Sequence, residues 1–309
     1  MKYARPQALY LDHFGLREAP FVLTPQPGFF HGGGMRGEIL AALEYAVLHG
    51  EGVVTVTGEV GTGKTMLARM LIERRPPDLE IVHIPNPSMT RDDLVATIAR
   101  DLHVPVDALR PVDVLRALQS RLITLHGLGR RVTVLIDEAQ VISADSLEEI
   151  RLLSNLEAGS RKLLGIVLVG QPELRETLAT ARMRPLRERI TERFYLGPLS
   201  TAETAGYLTH RLRRAGGHPQ LFEPRAVALI AQAAEGLGRR INILADKALL
   251  AAFAAGEARV TEWHARQAIA EASFIRLAGW RHRMLSGLIH YVDRIRRLRI
   301  DVTRPGWSA

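Results

Sequence analysis

There is no cysteine among the 309 residues. That excludes a disulfide framework, a thiolate metal site and a thiol nucleophile, and it fits a reducing compartment. No apolar run approaches the roughly 18 residues a membrane-spanning helix needs. The opening Met-Lys-Tyr-Ala-Arg-Pro lacks the apolar stretch of a secretory leader, so a cytoplasmic location is expected. Acidic residues are outnumbered, 33 Asp and Glu against 41 Lys and Arg, for a net charge of +8. Most of that excess lies in residues 275–309, where the only acids opposing an arginine-rich run are Asp293 and Asp301. A body built to bind nucleic acid spreads or clusters basic charge over itself. Here the body is nearly balanced, which makes nucleic acid the less expected partner. What is present is an ordinary globular mixture, 47% apolar and 24% charged, long enough for about two domains.

Residues 1–35 are rich in Pro, Gly and Phe and read as an irregular lead-in. A helical apolar period follows over 36–49. Short β-branched runs then alternate with helical ones. The runs are Val53–Thr57, Ile81–Ile84, Val132–Ile136 and Leu164–Val169, with a fifth short strand over Phe194–Leu196. Helices are predicted over 66–74, 91–102, 111–126 and 145–156. Apolar character on both faces of each run predicts an α/β domain over 36–199, a parallel five-stranded sheet with helices on both faces. Beyond Pro198 the strand signal stops. Helical stretches over 201–215, 224–235, 240–255 and 261–273 predict a small all-α domain over 200–274. Ser200 with Glu203, and Thr261, supply capping chemistry at two of its helix starts.

The octapeptide Gly58-Glu59-Val60-Gly61-Thr62-Gly63-Lys64-Thr65 fits the phosphate-loop pattern G-x-x-x-x-G-K-[ST] at every fixed position. It stands between a predicted strand and a predicted helix that begins at Met66, where the pattern has mechanical meaning. Glycines let backbone N–H groups close around phosphate oxygens. Lys64 brings a point charge to the β/γ-phosphates, and the Thr65 hydroxyl can hold Mg²⁺. The run Val132–Ile136 delivers Asp137 and Glu138 at its C-terminal end, the end at which open α/β sheets bind ligands. Asp137 is expected on Mg²⁺ beside Thr65, and Glu138 as the base that polarises the attacking water. No N/T-K-x-D guanine-reading element is found, so ATP is favoured over GTP.

Other positions extend this reading. Gln171, after the fourth strand, can orient the water or touch the γ-phosphate. Arg239, at a helix start in the all-α domain, can report loss of that phosphate. Arg187, Arg189 and Arg193 precede the predicted fifth strand, where an arginine can reach a neighbouring subunit's nucleotide as a finger. Asn86, ending the second strand, can hold Glu138 away from the water.

These residues resemble the ExeA/MshM-type AAA+ ATPases of type II secretion and mannose-sensitive haemagglutinin (type IV) pilus biogenesis. The matching stretches are Tyr10-Leu-Asp-His-Phe-Gly-Leu-Arg-Glu-Ala-Pro-Phe-Val-Leu-Thr-Pro25, the phosphate loop and Ile84-Pro-Asn-Pro87. They continue through Ile136-Asp-Glu-Ala-Gln140, Arg151-Leu-Leu-Ser-Asn-Leu-Glu157, Gly170-Gln-Pro-Glu-Leu174 and Arg239-Arg-Ile-Asn-Ile-Leu244. Asn155-Leu-Glu157 looks closer to MshM than to ExeA. So does the lack of a long C-terminal extension, and no peptidoglycan-binding domain accompanies the motifs. The resemblance implies an ASCE-type P-loop ATPase domain with a helical lid, using ATP and Mg²⁺. It implies Gln171 near the first sensor, Arg239 as second sensor, and Phe14 to Phe21 near the adenine. It also implies a homo-oligomer working with inner-membrane proteins of a pilus or secretion apparatus. Two departures stand out. Gly238 replaces the usual proline before the sensor arginine, leaving Arg239 and Arg240 as alternatives, and Gln26 replaces an aspartate.

In residues 275–309, Leu277, Trp280, Met284, Leu288, Val292, Ile295 and Leu298 recur at helical spacing among arginines. That is the pattern of a basic amphipathic helix on an anionic membrane surface, or of a terminal helix on a partner. Peripheral contact with the cytoplasmic face of the inner membrane is therefore expected of it. Two alternatives use the same features. One is a DNA-acting AAA+ ATPase of the transposition-helper or loader type, the other a slow ATP-dependent regulatory switch.

Overall fold

A computed structural model of the chain describes residues 9–49, 52–107, 109–159 and 161–272. Two compact units result, one of Thr24–Leu199 and one joining the residues up to Leu23 with those from Ser200 onward. The expected lead-in of residues 1–35 is thus divided, its first part belonging with the C-terminal helices. The arginine-rich segment 275–309 lies outside the described residues.

In the first unit a parallel sheet is built from β1 (Val53–Thr57), β2 (Leu79–Ile84) and β3 (Arg131–Ile136), with β6 (Gly165–Gly170) and β7 (Ile190–Tyr195). A two-stranded antiparallel pair, β4 (Glu157–Ala158) and β5 (Arg161–Lys162), interrupts the sequence between β3 and β6. The sheet order is β2-β3-β6-β1-β7, so β6 lies between β1 and β3. Side chains alternate across the sheet as the two-residue period of a strand demands. Along β6, Ile166 and Leu168 enter one core and Val167 and Val169 the other. The first core also holds apolar residues of α4 (Arg91–Asp101), α5 (Pro111–Gly127) and α6 (Ala144–Leu153). The second holds those of α2 (Met35–His49) and α3 (Lys64–Arg74). Both faces of the sheet are therefore covered, as expected for parallel strands.

The five sheet strands fall where they are predicted, with one informative shift. The fifth begins at Ile190 rather than Phe194. Its residues Ile-Thr-Glu-Arg-Phe-Tyr are mostly exposed, because β7 is an edge strand, and edges carry polar residues that strand patterns do not reveal. Two short helices between β6 and β7, α7 (Glu173–Ala179) and α8 (Arg184–Arg187), were not expected. The helix predicted to reach residue 156 stops at Leu153, giving way to the β4–β5 pair.

The second unit opens with α1 (Leu11–Phe14) and continues with α9 (Thr201–Arg214), α10 (Pro224–Ala234), α11 (Gly238–Ala255) and α12 (Glu262–Ala270). Ser200 and Glu203 form the expected capping box, with Ser200 N–H donating to Glu203 Oε2 at 2.7 Å and Glu203 N–H to Ser200 Oγ at 3.2 Å. The lead-in is stitched to these helices by buried polar contacts. Tyr10 donates to Asp246, Arg211 Nε donates to the Pro20 carbonyl, and Asn242 Nδ2 donates to the Val22 carbonyl at 3.2 Å. Tyr207 joins the last two, accepting from Arg211 and donating to Asn242, each at 2.8 Å. Phe14 and Phe21 are core residues of this unit, Phe21 packing edge-on against Phe222 with ring centroids 5.8 Å apart. Their rings are used inside that core.

At Thr261 the capping partner is His264, whose Nδ1 accepts the Thr261 N–H at 3.0 Å. That places the ring proton on Nε2. Burial pushes the His264 pKa below its ordinary value, against the opposing pull of Glu257 and Glu223. Burial also lowers His83 on β2. The unfolded chain therefore takes up protons below about pH 6.5 that the folded chain resists. Stability contributed by these rings is complete above that pH and is lost as the pH falls through the lower folded values. Melting temperature is expected to fall between pH 7.5 and 5.5, and to fall less in His264→Gln, whose amide oxygen keeps an acceptor without titrating.

Candidate functional site

β1 ends at Thr57 and the chain turns through Gly58–Gly63 into α3, with Gly61 at φ 87° and Gly63 at φ 105°. The left-handed region at both positions favours glycine. Gly58 is required for a different reason, since a Cβ there would lie 2.4 Å from the Leu196 carbonyl oxygen. The loop is tightened from within by Thr62 Oγ1 donating to the Glu59 carbonyl at 2.9 Å. It is held from outside by Arg36, which donates to the carbonyls of Thr62 at 3.2 Å and Gly197 at 3.1 Å.

Lys64 is 7% exposed. Its ammonium donates to the carbonyls of Gly58 at 2.8 Å and Glu59 at 3.0 Å. Burial pushes its pKa down, while the carboxylates of Glu138 and Asp137 pull it back. A cation is thus stored in a partly dry site beside the carboxylates of β3. Helices α4, α6 and α9 are capped by the side chains of Thr90, Ser143 and Ser200. Helix α3, like α5, α7, α10 and α11, has no side-chain cap. Its N-cap is Gly63, whose carbonyl takes the Met66 N–H at 3.0 Å, so the N–H groups of Lys64 and Thr65 before it have no carbonyl one turn back. Unpaired donors, the positive end of a helix and a buried ammonium together fit a phosphate chain. Val60 is 52% exposed at the loop's apex. Thr65 and Met66 lie in the first turn of α3, both half-buried.

Asp137 follows β3 and is 3% exposed. Its N–H bonds the Ile84 carbonyl of β2 at 2.9 Å, and its Oδ1 accepts the Glu138 N–H at 2.9 Å. Glu138 has φ 52°, a left-handed conformation uncommon outside glycine, and such outliers gather at functional sites. The Thr65 hydroxyl and the buried Asp137 carboxylate are the kind of hard oxygen donors Mg²⁺ takes.

Because β6 separates β1 from β3, its C-terminal end links the loop and the carboxylates. The Gly58 N–H donates to the Gly170 carbonyl at 3.3 Å. One residue on, Gln171 Nε2 donates to Glu138 Oε2 at 3.4 Å. Gln140 Nε2 donates to the same oxygen at 2.7 Å. Asn86 has another task, its Oδ1 accepting the Ser88 N–H at 3.2 Å. The carboxamides on Glu138 are those of Gln171 and Gln140. Gln140 and Arg36 were both missed by the sequence reading. Gln140 stands beside the acidic pair and was legible, whereas Arg36 precedes β1 in a region without a motif.

The expected arginines stand on other elements. The Arg189 carbonyl accepts the Val53 N–H at 3.0 Å, at the N-terminal end of β1 and so at the end of the sheet opposite the loop. Arg189 therefore does not serve the loop of its own chain. Arg187 donates to the Ala179 carbonyl at 2.8 Å, and Arg193 lies within β7 rather than before it. Arg239 is exposed in the first turn of α11, in the helical unit, while the adjacent Arg240 pairs with Glu235.

Sheet order, loop and acidic pair define a P-loop domain of the AAA class, and the family model described as "AAA domain" matches residues 47–178. Over 282 residues, 91% of this chain, the sequence is 39% identical to General secretion pathway protein A of Aeromonas hydrophila. The chain belongs to the ExeA-type AAA+ family. The alignment takes in 52% of that relative, so the chain spans about half its length. Among solved structures it is similar to the Aeropyrum pernix ORC2 protein in its ADP form, with a TM-score of 0.63 at 20% identity over 82% of this chain and 72% of that one. The Aeropyrum pernix ORC1 protein in complex with DNA gives a TM-score of 0.61 at 22% identity over 82% and 69%. Those two likenesses show the fold.

Proposed function

We propose that this chain binds ATP with Mg²⁺, hydrolyses it, and uses the cycle to assemble or operate a type II secretion or type IV pilus apparatus. The observation that carries the chemical part is the convergence, across β6, of an uncapped helix start with buried Lys64 and the Asp137–Glu138 pair. Residues Gly58–Met66 would surround the phosphates, with the Lys64 ammonium and the N–H groups of Lys64 and Thr65 at the start of α3 as donors. The Thr65 hydroxyl and Asp137 would hold Mg²⁺, which supplies charge neutralisation at the phosphates. Glu138 accepts the proton of the attacking water, and Gln171 orients that carboxylate from the end of β6. Arg239 as second sensor rests on the family resemblance, and Arg189 as a finger toward a neighbouring copy rests on the placing of Arg187, Arg189 and Arg193 around the start of the fifth strand. Support for the secretion side comes from the match to General secretion pathway protein A. The MshM-like pilus branch rests on Asn155-Leu-Glu157. Among the described residues no helix is long and apolar enough to cross a membrane. Work at the cytoplasmic face of the inner membrane, as a homo-oligomer with apparatus proteins, is part of this proposal.

Phosphate release from ATP by the full chain tests it. Release is expected to require Mg²⁺ and to be unchanged by duplex DNA. Stimulation by DNA that falls steeply with salt would replace it with the DNA-acting reading.

A further inference from the structure

Glu138 Oε2 receives two carboxamide donors, and the nearer comes from a residue with no assigned role. Gln140 sits in the single 3-10 turn Ala139–Val141 that follows the acidic pair. Its amide works at both ends. Nε2 donates to Glu138 Oε2 at 2.7 Å, and Oε1 accepts the backbone N–H of Gln171 at 3.0 Å. The close approach depends on Gly170, where a Cβ would lie 3.1 Å from Gln140 Oε1 and 3.2 Å from Gln140 N. Gly170 in turn accepts the Gly58 N–H from the phosphate loop. One side chain thus ties the Glu138 carboxylate to the end of β6, and the end of β6 is tied to the loop.

We propose that Gln140 is a positioning residue that fixes the Glu138 carboxylate and couples its orientation to the backbone at Gln171. This rests on Glu138 being the base. A carboxylate on a short side chain has several staggered positions, and the left-handed backbone at Glu138 alone does not choose among them. A donor at 2.7 Å does, because hydrogen bonds to charged groups are the strong ones. The Oε1 contact orients the amide, so that its NH2 rather than its oxygen faces Glu138. Any displacement of the β6 end therefore reaches the carboxylate through one rigid amide.

The two ends separate by substitution. Gln140→Glu keeps an acceptor for the Gln171 N–H and replaces the donor with a repelling charge. Gln140→Ala removes both. With ATP and Mg²⁺, both variants are expected to lose about 10- to 100-fold in kcat, the worth of one hydrogen bond to a charged group. KM for ATP and ADP affinity should stay near wild type. A readout free of turnover accompanies this. In amide NMR spectra of the protein without nucleotide, the Gln171 backbone proton should shift upfield in Gln140→Ala and hold its position in Gln140→Glu. Wild-type kcat in either variant overturns the proposal, as does a loss of kcat matched by an equal loss of ADP affinity. Glu138→Gln run alongside separates the two ideas. If it turns over normally, the base assignment and this proposal both fall. If it is inactive while Gln140→Glu is unimpaired, only the Gln140 role falls.

Discussion

Glu138→Gln is expected to lower kcat for ATP by about 10²–10⁴-fold, the usual worth of a positioned general base, with ATP affinity near wild type. The substitution preserves shape and still offers Gln140 and Gln171 an oxygen acceptor, but an amide cannot take a proton from water. Under the proposed function the acidic pair divides its work by geometry. Asp137 is almost wholly buried and spends one oxygen on the Glu138 N–H, which suits a metal ligand held in one place. Glu138 is the more exposed of the two and is addressed by donors that orient it, which suits proton transfer. Asp137→Ala should therefore differ in kind, weakening Mg²⁺ binding, so that more Mg²⁺ is needed for turnover, and loosening the backbone at Glu138, whose N–H loses its acceptor. Steady-state phosphate release over a range of Mg²⁺ concentrations distinguishes the two variants.

Lys64→Met is expected to weaken ATP binding by at least about 100-fold, because a buried ammonium makes more than one charge-assisted bond to a phosphate chain. Stability without nucleotide should change little. The ammonium contributes bonds to the carbonyls of Gly58 and Glu59, yet its burial opposes its own charge, and these effects offset. The melting temperature of Lys64→Met should match wild type without ATP and fail to rise when Mg²⁺ and ATP are added. Wild-type protein should rise, since a ligand that binds only the folded state stabilises it by mass action. A large loss of stability without nucleotide would instead make Lys64 a structural residue.

The sheet was legible because its strands are buried on both faces, and continuous β-branched runs such as Val53–Thr57 have few other uses. Its edge was not. β7 is polar because one side of it meets solvent, so its first four residues looked like part of an arginine run. The short helices α7 and α8 and the β4–β5 pair fell below the length at which period is readable. Phosphate loop and acidic pair were legible because their chemistry depends on residue types at fixed spacing. Arg36 and the lead-in were hidden for the opposite reason. Arg36 reaches backbone carbonyls far along the chain, and any long donor there would look the same in sequence. The lead-in of residues 1–35 divides because Pro20 and Val22 offer their carbonyls to Arg211 and Asn242, contacts between residues 191 and 220 positions apart. Asn86 was a reasonable candidate for holding Glu138, but the bond it makes is within its own turn, its Oδ1 accepting the Ser88 N–H. Gln140, two residues from Glu138, supplies that contact over a shorter chain path.

The central claim is that loop and acidic pair act as one hydrolytic site across β6. It is tested most directly by the identity of the nucleotide held by Glu138→Gln. The variant is incubated with ATP and Mg²⁺, separated from free nucleotide, and quenched in acid. Bound nucleotide is predicted to be intact ATP over times in which wild-type protein has converted its own to ADP. Bound ADP at the wild-type rate would contradict the account.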